Sequence, residues 1–98
     1  NVDGRYEMAP IPGSEFELKA DLVLLAMGFV HVTQTGLVGD LGLDLTDRGN
    51  IAIDDAYQTS VPGVFSAGDA HQGAALVVWA MHHGRGAAAG IDAYLKSL

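Results

Sequence analysis

Cysteine is absent from the 98-residue sequence, and positive charge is scarce. Without cysteine the chain has no disulfide, no thiol nucleophile and no cysteine ligand for an iron–sulfur cluster. Five Lys and Arg residues stand against twelve Asp and Glu, which gives a formal net charge of −7. Because binding to nucleic acids and anionic membranes draws on clustered basic side chains, neither is an expected partner.

Long apolar runs are missing as well. No stretch approaches the roughly 20 residues of a membrane span, and the N-terminal sequence has no signal-peptide pattern. A cytoplasmic location is therefore expected. The length allows one small domain, which buries only about 60–65% of its unfolded surface. The 49% hydrophobic content suffices for a core, and 13 glycines indicate close backbone packing rather than disorder.

Alternation and apolar runs predict short strands early in the chain. Residues 14–19 alternate polar and apolar side chains, with Phe16 and Leu18 on one face, as in a half-buried strand. The weakly alternating residues 5–8 are a candidate hairpin partner across a Pro-Ile-Pro-Gly break. Residues 21–27 form an apolar run after one acidic residue, the pattern of a strand buried on both faces of a parallel sheet.

The middle of the chain predicts a short helix and a hairpin. The apolar residues of 37–43 are expected on one side of a short helix or turn, with Gly42 near its end. Residues 43–46 and 51–53 flank an Asp-Arg-Gly-Asn sequence whose turn residues predict a hairpin. The glycines of this region do not have the spacing of a dinucleotide fingerprint.

The strongest signal is a strand, a turn and a helix in succession. The apolar run 64–67 ends at Gly68 and Asp69, and a helix rich in Ala and Gly is predicted from Ala74 to Leu98. This places a carboxylate at a strand's C-terminal end near a helix N-terminus, where open α/β sheets bind ligands. Helix N–H groups attract a diphosphate, and an ionised Asp69 accepts hydrogen bonds from sugar or sugar-alcohol hydroxyls. The predicted fold class is α/β, and a nucleotide is the predicted ligand.

Along one face of the predicted helix, apolar residues and glycine recur every three or four positions, and most of them have small side chains. The face comprises Leu76, Ala80, Gly84, Ala87, Ile91 and Leu95. This face is expected to contact the sheet or a second helix, whereas His83 is expected to point elsewhere. Gly84, Gly86 and Gly90 each cost about 1 kcal/mol of helix propensity relative to Ala, so close tertiary contacts are expected to offset them.

The motif resembles the second flavin-contacting segment of flavoproteins with two dinucleotide-binding domains. The matching residues are Thr59, Val64, Phe65, Ala67, Gly68 and Asp69. Within that superfamily the chain is similar to the small (β) subunits of NADPH-dependent glutamate synthases. The similar pieces are residues 20–29, residues 57–60, and residues 76–81 with Gly84 and Arg85. The likeness runs from Gly13 to Leu95 and implies a C-terminal fragment of such a subunit.

The resemblance implies a partial flavoprotein nucleotide-binding fold, with short strands and one long C-terminal helix, incomplete without the rest of the parent or a second copy. Residues 1–28 would end the nicotinamide-binding domain and form the crossover, and residues 29–98 would form the C-terminal part of the FAD-binding domain. Asp69 would accept a hydrogen bond from a ribityl hydroxyl of FAD. The cofactor-binding residues that the resemblance implies are Gly68, Asp69, Ala75, Leu76, Val77, Ala26, Met27 and Gly28.

The resemblance also implies a reaction for the parent protein. Hydride passes from NADPH to FAD, and electrons continue through iron–sulfur clusters to a large subunit that forms glutamate. Most of the NADPH site and all cluster ligands would lie outside this chain, which is expected to be inactive alone and has no predicted catalytic residue. The expected partner is the glutamate synthase large subunit.

Alternatives remain open for the partner and for the class of protein. Between Asp69 and Leu76 the family commonly has basic residues and a Gln-Ser pair, whereas residues 70–75 read Ala-His-Gln-Gly-Ala-Ala. A related subunit of a transhydrogenase, sulfide dehydrogenase or pyrimidine-reducing enzyme is therefore an alternative. A non-catalytic module that self-associates through exposed strand edges is another.

Several residues of types that often form catalytic or metal sites are better explained here by structural roles. His82 and His83 lack the helical spacing of metal ligands and His71 lies far before them, which favours surface histidines and predicts no metal site. Ser66, Asp69 and His71 have the residue types of a catalytic triad without a nucleophile elbow. Without the resemblance, Asp69 would also suit the N-cap position of a helix. Gly28 would likewise suit a turn that ends a buried strand. Trp79 is expected to be a packing aromatic.

Overall fold

The computed structural model describes residues 4–98, which form three helices and isolated antiparallel bridges between short extended segments. The helices are α1 (Leu37–Leu41), α2 (Asp69–Gln72) and α3 (Val77–Ser97). The long C-terminal helix of the predicted α/β fold is confirmed, but a sheet is not confirmed in this part of the chain. The first three residues of the predicted 1–28 segment lie outside the described residues. No helix within 4–98 has both the length and the apolar content needed to cross a bilayer.

The core lies where α1, the following hairpin and α2 meet. Its buried side chains are Val38, Leu43 and Ile51. Burying each of them contributes about 1.5–3 kcal/mol relative to an exposed side chain. Half-buried apolar residues from the surrounding loops and from α2 extend this cluster. They are Val32, Ile53, Val61, Val64 and Ala70.

Helix α1 ends as the sequence predicts. Gly42 adopts a left-handed conformation with φ 63°, which glycine reaches without a steric penalty. Its N–H donates to the Gly39 carbonyl oxygen at 3.1 Å, and the Leu43 N–H donates to the Val38 carbonyl oxygen at the same distance. These bonds satisfy carbonyls that the helix end would otherwise leave unpaired. Val38 is buried, whereas Leu37 on the expected apolar side is exposed.

The predicted hairpin after α1 is confirmed. Leu45 and Ile51 form an antiparallel bridge. The Thr46 N–H donates to the Asn50 carbonyl oxygen at 2.7 Å, and the Gly49 N–H donates back to the Thr46 carbonyl oxygen at 2.8 Å. Gly49 has φ 81°, a backbone conformation that favours glycine in tight turns.

A second hairpin leads into α2. Gln58 and Phe65 form its antiparallel bridge. The Thr59 N–H donates to the Val64 carbonyl oxygen at 2.8 Å, and the Ser66 N–H donates to the Tyr57 carbonyl oxygen at 3.0 Å. The apolar run 64–67 therefore pairs with the chain just before it and makes a single bridge.

The predictions for residues 5–27 are wrong for the structure. Residues 21–27, expected as a strand buried on both faces, have Leu22, Val23, Leu24 and Leu25 at 72–81% exposure. Residues 14–19 form no bridge to any other part of residues 4–98, and their apolar side chains are exposed. The physical reason is that a strand needs neighbours for its backbone groups and faces. No segment within residues 4–98 pairs with residues 21–27.

Helix α3 starts three residues later than expected, at Val77 rather than Ala74. Gly73 has φ 94°, and Leu76 is extended with φ −74° and ψ 146°, so this stretch cannot continue the helix. The buried face is also rotated from the predicted one. Leu76, Ile91 and Leu95 are exposed, while Ala80 and Ala87 do face the loops. The remaining members of the observed face are His83, Gly86, Gly90 and Tyr94.

Two of the three helix glycines have the expected close contacts. A Cβ on Gly90 would overlap the carbonyl oxygen of Ala56, and one on Gly86 would overlap the ring of Tyr57. Nothing lies within 4 Å of the corresponding position at Gly84. The expectation is therefore correct for Gly86 and Gly90 and wrong for Gly84.

Candidate functional site

A cavity of about 270 Å³ lies beside α2. Three parts of the chain meet there: the segment before α1, the first hairpin, and α2 with the turn that follows it. This volume is just below the roughly 300–1,000 Å³ of typical ligand pockets, so it suits a segment of a larger ligand. The lining residues that bear on its chemistry are Phe29, His31, Asn50, Asp69, Gly73 and Ala74.

Asp69 gives the cavity a hydrogen-bond acceptor. It is the first residue of α2, after Gly68, whose φ of 65° favours glycine. A Cβ on Gly68 would lie 3.4 Å from the Ala80 Cβ, so the turn packs closely against α3. The Asp69 carboxylate is exposed and has no hydrogen-bond partner within residues 4–98, and it does not cap α2. The N-cap alternative for Asp69 is therefore wrong, and its oxygens are available to a ligand.

Asn50, in the turn of the first hairpin, also lines the cavity and is only 3% exposed. Its Oδ1 accepts a hydrogen bond from the Val32 N–H at 3.0 Å. Its Nδ2 lies next to Gly73, where a Cβ would come within 3.2 Å of that nitrogen. The sequence does not single out this residue as a site residue, because its turn position already explains an asparagine. Its burial depends on the segment before α1, which no local pattern reveals.

The structure brings together only some of the predicted site residues. Asp69 lines the cavity, and Gly68 precedes it in the same turn. The segment 75–77 is exposed at the start of α3 and is not part of the lining. Residues 26–28 are exposed as well and lie just before the lining residue Phe29.

The N-terminus of α3 carries unpaired backbone donors. Leu76 occupies the N-cap position without a side-chain cap. Its carbonyl oxygen accepts from the Trp79 N–H at 3.0 Å and from the Ala80 N–H at 3.3 Å. The N–H groups of the first turn before Trp79 have no intrahelical acceptor, as at any helix start, and carry partial positive charge.

A histidine pair joins α2 to α3. His71 Nε2 lies 3.2 Å from His83 Nδ1, and the two ring centroids are 4.6 Å apart. His83 is 8% exposed, so the prediction of a surface histidine is wrong there, because the buried face of α3 is rotated. Burial, and then the charge of His83, lower the pKa of His71 below 6.5. The ring of Tyr57 packs against both imidazoles, at 5.8 and 5.9 Å between centroids.

Apart from the His71–His83 pair, the aromatic side chains near α3 make packing contacts, and no metal-binding group is formed among the described residues. The Trp79 ring lies 6.0 Å from the rings of His82 and His83, as expected of a packing aromatic. In the part of the chain that the structure describes, no three or more His, Asp or Glu side chains are grouped to hold a metal ion.

Comparison with known proteins identifies the family. Residues 2–84 match the model of the family described as pyridine nucleotide-disulphide oxidoreductase. The chain belongs to this family, because the match covers most of its length. Flavin and nicotinamide nucleotides are the cofactors of this family of oxidoreductases.

The relatives narrow the assignment. The glutamate synthase [NADPH] small chain of Mycobacterium tuberculosis (strain ATCC 25618 / H37Rv) is 55% identical over 94 residues, which is 96% of this chain and 19% of the relative. The protein of the same name from Bacillus subtilis (strain 168) is 40% identical over 97% of this chain and 19% of its own length. The NADP(+)-dependent formate dehydrogenase subunit beta of Moorella thermoacetica is 40% identical over 95% of this chain and 13% of its own length. The chain thus spans about a fifth of the length of the glutamate synthase relatives.

Proposed function

We propose that this chain is part of an FAD-dependent oxidoreductase, the small subunit of a glutamate synthase. The parent protein would move electrons from NADPH through FAD and iron–sulfur clusters to a large subunit that forms glutamate. The observation that carries this proposal is the 55% identity, over 96% of the chain, to a glutamate synthase [NADPH] small chain. The electron-transfer clusters would be held outside this cysteine-free chain.

Within the parent, the division of the chain follows the α/β nucleotide-binding architecture. Residues 1–28 would complete the nicotinamide-binding domain and cross over, and residues 29–98 would complete the FAD-binding domain. The exposure of the apolar residues of 21–27 supports this proposal, because such an apolar segment is suited to pair inside a larger parallel sheet. Ala26, Met27 and Gly28 would form the crossover beside the cofactor.

Asp69 would hold the ribityl chain of FAD. Its carboxylate lines the cavity without a hydrogen-bond partner from the described residues 4–98, and a carboxylate accepts hydrogen bonds from hydroxyl groups. A diphosphate fits less well there, because two negative groups would lie side by side. Gly68 would support the contact because its φ of 65°, which favours glycine, turns the chain directly before Asp69.

The start of α3 would face the flavin ring. Backbone N–H groups at Ala75, Leu76 and Val77 would lie along the pyrimidine edge, where partial positive charge stabilises an anionic reduced flavin. FAD, when bound, supplies the hydride acceptor. This chain's own residues bind and orient the cofactor, and none of them is assigned a catalytic step.

FAD binding by the full-length gene product tests the proposal. Calorimetric titration is expected to show saturable FAD binding by the wild type and by the control Asp40→Asn, which neutralises an exposed acid in α1. Asp69→Asn is expected to weaken binding by at least about tenfold, the loss of a charge-assisted hydrogen bond. Absence of FAD binding by the wild type would overturn the flavoenzyme proposal.

The isolated chain of residues 1–98 is expected not to reduce a dye with NADPH, because it lacks the first diphosphate-binding glycine motif. NADPH-dependent dye reduction by this chain alone would contradict that expectation.

A related electron-transfer subunit with another partner is a second candidate. The 40% identity to a formate dehydrogenase subunit beta favours it. Assay of the gene product together with the proteins that co-purify with it separates the two: glutamate formation from glutamine and 2-oxoglutarate supports the first candidate, and its absence despite NADPH oxidation supports the second.

A non-catalytic, self-associating module is a third candidate. The exposure of Leu22, Val23, Leu24 and Leu25 favours it, because unpaired extended segments with apolar side chains tend to pair with another chain.

A further inference from the structure

We propose that Asn50 is a second ligand-binding residue of the cavity that contains Asp69, and that its Nδ2 donates a hydrogen bond to a hydroxyl oxygen of the ligand's sugar-alcohol chain. This assignment rests on the proposed binding of a flavin nucleotide. It adds a donor from the first hairpin to the acceptor that Asp69 supplies from α2.

The hydrogen bond to Val32 fixes how the Asn50 amide is oriented. The Val32 N–H can only donate, so the amide atom 3.0 Å away is the oxygen Oδ1. The Asn50 N–H donates in addition to Thr46 Oγ1 at 3.3 Å, which holds the backbone of the same residue. With the oxygen and the backbone held, Nδ2 is directed to the other side, toward Gly73 and the cavity.

The Asn50 Nδ2 donor lacks a protein acceptor. No hydrogen bond from this atom occurs within residues 4–98, although the residue is only 3% exposed and lines the cavity. Within residues 4–98 only Ser66 Oγ is a fully buried side-chain polar atom without a partner, so Asn50 Nδ2 is open to the cavity and can donate to a ligand or water there. Gly73 leaves room for the amide, since a Cβ there would approach Nδ2 to 3.2 Å.

Asp69 and Asn50, which line the cavity together with the His31 ring, define the chemistry of the ligand segment. The Asp69 carboxylate only accepts hydrogen bonds, and the Asn50 Nδ2 only donates them. Neighbouring hydroxyls of a sugar alcohol satisfy both, because each hydroxyl has one donor and two acceptor positions. A phosphate would satisfy Nδ2 but would meet the negative charge of Asp69.

The test compares two amide-to-acid substitutions near the same turn of the full-length gene product. Asn50→Asp keeps an oxygen for the Val32 N–H and removes the donor. Gln34→Glu is the matched control, because Gln34 Nε2 donates to the Gly49 carbonyl oxygen at 3.1 Å and the residue does not line the cavity. Asn50→Asp is expected to weaken FAD binding by about tenfold or more, and Gln34→Glu to stay within about twofold of the wild type.

The outcomes separate this assignment from the proposed function. Wild-type FAD binding with equal affinities for Asn50→Asp and Gln34→Glu overturns the role of Asn50 and leaves the function standing. Absence of FAD binding by the wild type overturns both. If Asn50→Asp does not fold, a crystal structure of the wild-type FAD complex decides: Nδ2 within about 3.5 Å of a ribityl oxygen supports the assignment, and a longer separation overturns it.

Discussion

His71 Nε2 lies 3.2 Å from His83 Nδ1, and this contact joins the short helix α2 to the long helix α3. A hydrogen bond between two imidazole nitrogens needs a proton on only one of them, so protonation of both facing nitrogens breaks it, and protonation of both rings places two positive charges side by side. The facing groups are Tyr57 from the loop and Trp79 and His82 from α3, and none of them carries a negative charge at neutral pH. The contact therefore favours the less protonated state of the pair.

The free energy of unfolding is expected to fall as the pH falls through the lowered pKa of His71. Burial and the charge of His83 lower that pKa below 6.5, so the folded state binds fewer protons than the unfolded chain in this range. The stabilisation is fully present above pH 6.5 and is lost on acidification. Thermal unfolding between about pH 5 and pH 8 measures it.

His71→Gln is expected to reduce this pH dependence. His31→Gln is the matched control, because His31 is exposed and lies outside the pair. A His71→Gln variant with the full pH dependence of the wild type would show that the pair does not cause it.

Alanine at two glycines of α3 is expected to change stability in opposite directions. Gly84→Ala has free space and is expected to stabilise by about 1 kcal/mol through helix propensity. Gly90→Ala would overlap the Ala56 carbonyl oxygen and is expected to destabilise by about 1–3 kcal/mol. Urea unfolding of both variants gives the comparison, and equal changes in the two would refute the close contact at Gly90.

Ser66→Ala is expected to leave stability unchanged or to raise it by about 1 kcal/mol. The Ser66 Oγ is buried and has no hydrogen-bond partner among residues 4–98, so its removal takes away a desolvated hydroxyl and no hydrogen bond. Ser60→Ala is the control, because Ser60 Oγ accepts from the Asp44 N–H at 2.9 Å and its loss costs about 0.5–1.5 kcal/mol. A larger loss in Ser66→Ala than in Ser60→Ala, by thermal unfolding, would contradict the unpaired hydroxyl.

The isolated chain is expected to self-associate through residues 21–27, where unpaired backbone groups and exposed apolar side chains coincide. Leu24→Lys is expected to reduce association measured by sedimentation velocity across protein concentrations. Leu98→Lys is the control, because Leu98 is 83% exposed and Leu24 is 80% exposed. A wild-type chain that stays monomeric at all concentrations would argue against association.

Local chemistry made α1 and the first hairpin predictable. Gly42 ends the helix and Gly49 turns the chain because each occupies a conformation that its neighbours in sequence already require. The face of α3 was not predictable in the same way. A period of three or four residues fits several rotations of a helix rich in Ala and Gly, and the choice depends on Tyr57 and Ala56, which contact it from a distant loop.

The residues of the candidate site also divide into one that the local sequence predicts and one that depends on distant contacts. Asp69 was predictable because a strand end, a glycine and an acid follow each other in sequence. Asn50 was not, because its burial depends on Val32, eighteen residues earlier in the chain. The sheet expected at residues 21–27 needs partners that residues 4–98 do not supply.

The two contacting glycines of α3 lie four residues apart, so they also determine where along its axis the helix can rest. A slide of one turn in one direction would bring His82 against the Tyr57 ring, in the place of Gly86. A slide in the other direction would bring Tyr94 against the Ala56 carbonyl, in the place of Gly90. A Cβ at Gly90 would overlap the backbone of Ala56, and a Cβ at Gly86 would overlap the Tyr57 ring, which would have to turn away. The two glycines therefore disfavour a shift of α3 by one turn along its axis.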